Sequence, residues 1–315
     1  MALQVSPGIN VSEIDLTTVV PTVSTTTGGI AGHFRWGPIE TPILISDENQ
    51  LVNEFFSPNS NTAVDFFTAA NFLNYGNQLF VVGVKNTVGA NAQNATSNTN
   101  SQSTLIKNED DYETNYSNGL SLRGTWAAKY PGQLGNSLRV STCSGANAFE
   151  ATITANITLT SNSTTVTFVS GSTAQVQAGD ILLLGVDKEE RQIASVTNTT
   201  QIILSSAYEG NTSSGFGSAA THRSAASQNP TRRWEYASFF KKAPGTSDYA
   251  NTRGGSNDEL HIVVEDEDGE ITGTAGQILE TYEGLSAGAD AKGDDGRTIF
   301  YKDVINQKSE WIWWL

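Results

Sequence analysis

The densest chemistry in the sequence is a carboxylate run, Glu265-Asp266-Glu267-Asp268-Gly269, with Asp290, Asp294 and Asp295 following around Gly293 and Gly296. Carboxylates ahead of a glycine are what a calcium loop uses. An EF-hand loop would also need an acidic or amide residue at 264 and a glutamate six residues past the glycine. Val264 and Ala275 stand there instead. Both runs therefore read as solvated loops, the first as the Asp268-Gly269 turn of a hairpin over residues 262–274.

A second concentration is basic and aromatic. Arg232-Arg233 and Lys241-Lys242 flank Trp234, Tyr236, Phe239 and Phe240. That interleaving can bind single-stranded nucleic acid, but a formal net charge of −15 opposes phosphate contacts. The stretch reads better as an amphipathic segment docked on its own core or on an acidic neighbour. His33, His222 and His261 lie far apart, without a second His or Cys at metal-ligand spacing, and Cys143 is the single cysteine. There is no GxxxxGK[ST] loop and no serine in a nucleophile elbow, and Gly215-Phe-Gly217 lacks the strand a dinucleotide loop needs. The sequons at Asn94 and Asn156 are what an Asn- and Thr-rich chain produces by chance. The expectation is no catalytic residue, no cofactor, no metal and no enzyme.

The elements that must position any function follow from composition. The chain has 315 residues, 16% of them charged and 37% hydrophobic. Ser, Thr and Asn supply about 30%, which favours strands and long loops over helices. Charge is uneven, about −5 over residues 1–100, about −1 over 101–250 and about −9 over 251–315. No signal peptide opens the chain and no apolar run nears the roughly 18 residues of a membrane span. The reading is a soluble protein made in a reducing compartment, or at least one that does not depend on oxidation.

Residues 1–27 read as an extended arm, in which Ile9, Val11, Ile14 and Leu16 alternate loosely with polar neighbours after Pro7-Gly8. Such a segment could add to a sheet edge of another molecule or form the first strand of its own sheet. Residues 28–149 read as the first part of an α/β core. GGIAGHFRWGP at 28–38 is a strand whose small residues permit close backbone approach, and two helices, the first capped by Ser46 or Asp47, carry Leu51, Val52 and Phe55, then Ala63, Phe66, Phe67, Ala70 and Leu73. LFVVGV at 79–84 is a strand buried on both faces. A polar surface excursion interrupts this part near 88–120.

Residues 150–222 change to short alternating strands about ten residues apart, an inserted small all-β barrel or sandwich left through a Gly/Ser/Ala tether over 210–227. From 223 to 315 the α/β core resumes, with a brief helix at 277–284. The end, Trp311-Ile312-Trp313-Trp314-Leu315, reads as a buried strand rather than a free terminus. The expectation is that the chain continues and that the core is truncated at its C-terminal end. The fold class is α/β (α+β), a mixed sheet with helices, interrupted by the β insertion and preceded by the arm.

Six segments in order resemble contractile tail sheath proteins, most closely those of T4-like bacteriophages. They are Ser6-Pro7-Gly8-Ile9-x-Val11-x-Glu13, Gly29-Ile30-Ala31-Gly32 through Trp36-Gly37-Pro38, and Phe72-Leu73-x-Tyr75-Gly76. Then come Ala128-Lys129-Tyr130-Pro131-Gly132-x-x-Gly135-Asn136, Glu280-x-Tyr282-x-Gly284-Leu285-Ser286, and Tyr301-x-x-Val304-Ile305-Asn306-x-x-Ser309. The resemblance implies the N-terminal portion of a longer subunit, assembled in the host bacterial cytoplasm into stacked hexameric rings around a tail tube in the virion. Its contraction would drive the tube through the host envelope. It implies arms that link neighbouring copies by strand addition, here through Pro7, Gly8, Ile9, Val11, Glu13, Ile14 and Leu16. The implied partners are sheath neighbours, the tube protein, baseplate and terminator proteins, with no nucleic acid and no membrane insertion. The insertion matches none of these segments. Its Ser/Thr/Asn-rich strands leave a β-rich adhesin or carbohydrate-binding protein as the alternative.

Overall fold

The computed structural model describes residues 27–85, 89–94, 103–119, 125–160, 162–170, 173–185, 188–209 and 230–315. Residues 1–26 of the arm, and with them Pro7, Gly8, Ile9, Val11, Glu13, Ile14 and Leu16, lie outside the described residues, as do His222 and the whole 210–227 tether. The chain divides into two compact units, residues 1–87 and 88–315.

In the first unit, β1 (Thr27–Gly32), β2 (Pro42–Ile45), α1 (Glu48–Phe55), α2 (Ala63–Leu73) and β3 (Gln78–Gly83) follow one another. The sheet order is β1-β3-β2. β1 runs parallel to β3, because two helices carry the chain back across the sheet, and β2 pairs antiparallel on the other side. Asp47 caps α1 by accepting from the Gln50 N–H at 2.9 Å. Phe56, at φ 63°, ends it. Leu51, Phe55, Phe66, Ala69 and Ala70 meet Ile45, Leu79 and Val81 in a core from which little water access remains. The expected close backbone approach is real at Gly28, where a Cβ would fall 2.5 Å from the Phe72 ring. The strand expected to be buried on both faces is not. Both helices take the same side of the sheet, so Leu79 and Val81 are buried while Phe80 points into solvent.

The second unit opens with α3 (Glu109–Asn115), β4 (Trp126–Ala128), β5 (Leu138–Cys143) and the single turn α4 (Ala146–Phe149). Seven strands follow: β6 (Glu150–Thr152), β7 (Asn156–Leu159), β8 (Ser163–Ser170), β9 (Ile181–Leu184), β10 (Glu189–Asn198), β11 (Gln201–Tyr208) and β12 (Thr231–Arg233). They form one sheet in the order β6-β12-β9-β10-β11-β8-β7. β6 and β7 sit at opposite edges of that order, yet only residues 153–155 separate them in sequence. The sheet must therefore curl until its edges meet. Ile157, Leu159, Val166, Phe168, Leu182, Leu184, Ile193, Ile202 and Leu204 fill the inside. β12 draws residues 231–233 into the same sheet, past residue 222.

The unit closes with the single turn α5 (Asp248–Asn251), β13 (Glu259–Asp266), β14 (Gln277–Ser286), α6 (Tyr301–Lys308) and β15 (Ile312–Trp314). β13 is the fully buried centre of an antiparallel sheet β14-β13-β5, and β15 pairs antiparallel with β4. The tryptophan-rich stretch is thus a buried strand, as expected, with Ile312 and Trp313 almost inaccessible.

Three sequence expectations fail here. Residues 277–284 form a strand, since Ile278, Thr281 and Tyr282 are strand formers and β13 offers the ladder. The hairpin does not turn at Asp268-Gly269 but through residues 267–276, because the Asp266 carboxylate organises a longer loop. The stretch over 88–120 is no mere surface excursion. It carries α3 and the buried Ile106 and Tyr112.

Candidate functional site

The groups that the sequence singled out for chemistry are consumed by structure. Asp266 is fully buried. One of its oxygens accepts from Ser137 Oγ at 2.7 Å and the Gly269 N–H at 3.1 Å. The other accepts from the Ile271 and Thr272 N–H groups and from Thr272 Oγ1 at 2.7–3.0 Å. These are donors, so the carboxylate has no lone-pair geometry left for a cation. Burial pushes its pKa up, but the bonds from Thr272, Ser137 and Ile271 outweigh that and hold it below the ordinary carboxylate value. Asp290 accepts from Tyr249 Oη at 2.9 Å, and Asp295 from the Arg297 N–H at 3.0 Å. Among the described residues no group of three or more His, Cys, Asp or Glu is placed to hold a metal.

The basic and aromatic stretch is equally committed. Arg232 pairs with buried Asp180 at 2.9 Å. Arg233 bridges Glu150 at 2.8 Å and Glu190 at 2.7 Å on its outer face. Trp234, Tyr236 and Phe240 are buried, so they offer no open stacking platform. Phe240 lies 4.5 Å from the ring of His261, 8° from parallel. His261 is itself fully buried. Its Nδ1 accepts from the Gly284 N–H at 3.0 Å, which leaves Nε2–H to donate to the Lys242 carbonyl at 2.9 Å. His33, by contrast, lies at the surface with Nδ1 3.7 Å from Asp65.

Two constellations emerge that residue spacing does not reveal. The first is a seam between the curled sheet and the β14-β13-β5 sheet. Arg139 on β5 donates to Glu265 at 2.8 Å and to Glu235 at 3.0 Å, and Gln192 on β10 donates to the other oxygen of Glu235 at 2.8 Å. Burial works against the Arg139 charge, but Tyr236, Glu235 and Glu265 outweigh it and hold the guanidinium above its ordinary range. The chain also leaves and re-enters the seven strands at one point, where the Trp234 N–H donates to the Phe149 carbonyl at 2.7 Å.

The second surrounds the tryptophans. Lys129 stands over the Trp313 ring at 4.7 Å, and the Trp313 indole N–H donates to the Lys129 carbonyl at 2.9 Å. Lys302 sits 3.4 Å from the Trp314 ring. Tyr112, from α3, stacks on Trp313. Burial pushes its phenol up to about 12, against a lowering hydrogen bond from Asn306. The only sequence signal for this clamp is a tyrosine inside an otherwise acidic helix. Neither constellation presents a nucleophile beside a base, and both hold elements together.

Comparison with known proteins gives a consistent answer. A family model described as "Tail sheath protein Gp18 domain III N-terminal region" matches residues 25–84. The tail sheath protein of Salmonella phage ViI is 28% identical over 333 aligned residues, covering 99% of this chain and 49% of that protein. The tail sheath protein of Enterobacteria phage T4 is 44% identical over 77 residues, 24% of this chain and 12% of that protein. Among solved structures, a sheath tail protein from Listeria innocua matches 57% of this chain and 33% of its own at 13% identity, with a TM-score of 0.24, too low to bear on the fold. The chain spans about half the length of the Salmonella phage relative. The resemblance to T4-like tail sheath proteins therefore holds, and it supports a structural role in a phage tail.

Proposed function

We propose that this chain is the N-terminal portion of a contractile tail sheath subunit, which stacks as hexameric rings around a tail tube and contracts to drive the tube through the host envelope. The observation that carries this reading is the collinear similarity to a tail sheath protein over 99% of the chain. The interior supports it. Buried cations and carboxylates serve as rivets between elements, as suits a subunit that must move as a body while its contacts change.

In this reading residues 1–27 are an arm. Pro7, Gly8, Ile9, Val11, Glu13, Ile14 and Leu16 add a strand to a neighbouring copy, so backbone pairing keeps copies linked while they rotate. The core spans 28–149 and the chain from Trp234 onward, and the β insertion, expected over 150–222 and extended by β12 to residue 233, lies on the outer surface of the assembly. Partners are sheath copies, the tube protein, baseplate and terminator proteins, with assembly in the host cytoplasm and residence in the virion. No nucleotide is required, because a metastable lattice supplies the work.

Electron microscopy of the purified protein tests this. Long hollow tubes are expected, and deletion of residues 1–20 should leave a folded protein that no longer forms them. Tubes that survive the deletion would remove the arm, and a dispersed monomer with glycan affinity would replace the sheath reading by the adhesin one.

A further inference from the structure

Residues 150–233 are a self-contained lobe. Their hydrogen-bond ladder joins no other sheet, since all seven strands of the curled sheet come from this stretch. Their interior is also their own. Every residue of the cluster inside the curl lies between Ile153 and Tyr208, while the cluster around Trp234 draws on Cys143, Tyr236, Ala237, Phe240 and Val263. Among the described residues no apolar cluster takes members from both sides. Bodies with separate cores and a polar joint move relative to one another unless something holds them. The two covalent crossings meet at one point, where the Trp234 N–H donates to the Phe149 carbonyl. Arg232 donates to the Asn147 and Ala148 carbonyls right beside it. Bonds so close to the crossing sit at the pivot and resist rotation with almost no lever arm.

We propose that this lobe swings as one body about the Phe149–Trp234 crossing, and that Gln192, Glu235 and Arg139 form the latch that holds it docked. Gln192 has the lever arm that Arg232 lacks. β12, β9 and β10 are neighbours in that order, and Arg233 and Gln192 both pair with Ile181. Gln192 therefore lies two strands, about 9–10 Å, from the pivot strand. Its amide donates to Glu235 at 2.8 Å. The other Glu235 oxygen accepts from Arg139 at 3.0 Å, and Arg139 is anchored at 2.8 Å to Glu265 on the central strand of the core sheet. The lobe seats closely here, since a Cβ at Gly179 would collide with the Glu235 carboxylate. The latch is also wet. The Arg139 and Glu235 side chains are 34% and 20% exposed, and Gln192 is exposed, so water replaces each bond as it opens. A hinged body needs a joint of that kind, because an apolar seam would expose its area at every opening.

The latch needs neither assembly nor contraction, so the full chain by itself is the test. Spin labels go on Thr197→Cys in the lobe and Asp294→Cys outside it, both exposed, with buried Cys143 left unlabelled. Double electron–electron resonance reads the distance distribution between them, and amide exchange over 163–208 reports whether the lobe stays folded. With the latch intact the distribution should be single and narrow. Glu235→Ala removes the centre of the latch and leaves Arg139 on Glu265. It should broaden the distribution at least about twofold with exchange over 163–208 unchanged. Gln192→Ala, at an exposed position outside every apolar cluster, should broaden it in the same sense and carries the test if Glu235→Ala does not fold. Equal widths with and without the latch, whether narrow or broad, overturn the proposal. So does broadening accompanied by faster exchange in the lobe, which would be unfolding rather than swinging.

Discussion

Tyr112 lies flat on Trp313, with ring centroids 4.2 Å apart and planes 8° from parallel, and its hydroxyl donates to the Trp314 carbonyl at 2.6 Å. Asn306 donates to the same hydroxyl at 2.7 Å. One side chain from an acidic helix thus ties α3, α6 and β15 together across about two hundred residues of sequence. Truncating it to alanine should cost about 3–5 kcal/mol, the range for a buried aromatic. Tyr112→Phe keeps the stacking and should cost about 1–2 kcal/mol for the lost hydroxyl contacts. Urea unfolding of both variants checks the order, and equal costs would show that the stack contributes little.

The Asp266 clamp predicts an acid limit. Asp266 and Asp258 both titrate below the ordinary carboxylate value, Asp258 through bonds from Ser286 and Ser247 that outweigh its burial. Their folded pKa lies below the unfolded one. The stability they add is therefore fully present above about pH 4 and is lost as pH falls through the folded value. Denaturation midpoints taken between about pH 6 and pH 3 should fall steadily at the acid end. Asp266→Asn should flatten that fall and speed amide exchange across 267–276.

The seam predicts coupling between the curled sheet and the core. Arg139→Leu leaves Glu265 buried without its cation and should destabilise by about 1–3 kcal/mol, less than a fully buried pair because Arg139 is partly exposed. Adding Glu265→Gln should recover part of the loss, and a double-mutant cycle measures it. Strictly additive effects would show that the two side chains do not act together.

The shared exit at Phe149 and Trp234 predicts where the β insertion can be removed. Excising 150–233 with a short Gly-Ser bridge should leave a cooperatively folding core, because the cut ends are already hydrogen-bonded neighbours. Excising only 150–222 leaves Arg232 and Arg233 without Asp180, Glu150 and Glu190. That variant should melt several degrees lower by circular dichroism. The opposite order would place the true boundary at 222.

The buried thiol offers a simple check on packing. Cys143 is almost inaccessible, and burial pushes its thiol up. Ellman's reagent at pH 8 should react only at the rate of unfolding, and rapid reaction in native buffer would show that the β5 end is open.

Patterns that depend on neighbouring residues were legible from the chain alone. Helical spacing of Leu51 with Phe55, alternating strands through 150–208 and the burial demanded by Trp311 to Leu315 all reappear as elements. These are local physics, since propensity, capping and the hydrophobic effect act through residues a few positions apart. Carboxylate roles were not legible. Asp266 and Asp268 look alike in sequence, yet one is a buried clamp and the other faces solvent. That difference depends on Ser137, more than a hundred residues away. The same holds for the strand at 277–286, where the β13 ladder overrode a helical pattern. It holds for Phe80, whose exposure depends on which side of the sheet two helices chose. Sequence determined that the tryptophan-rich end must be buried and that the family resemblance holds over the first α/β portion and the segment after residue 275. Tertiary structure alone decided which charges face one another and which apolar face is left uncovered, because those depend on through-space pairing that no local pattern encodes.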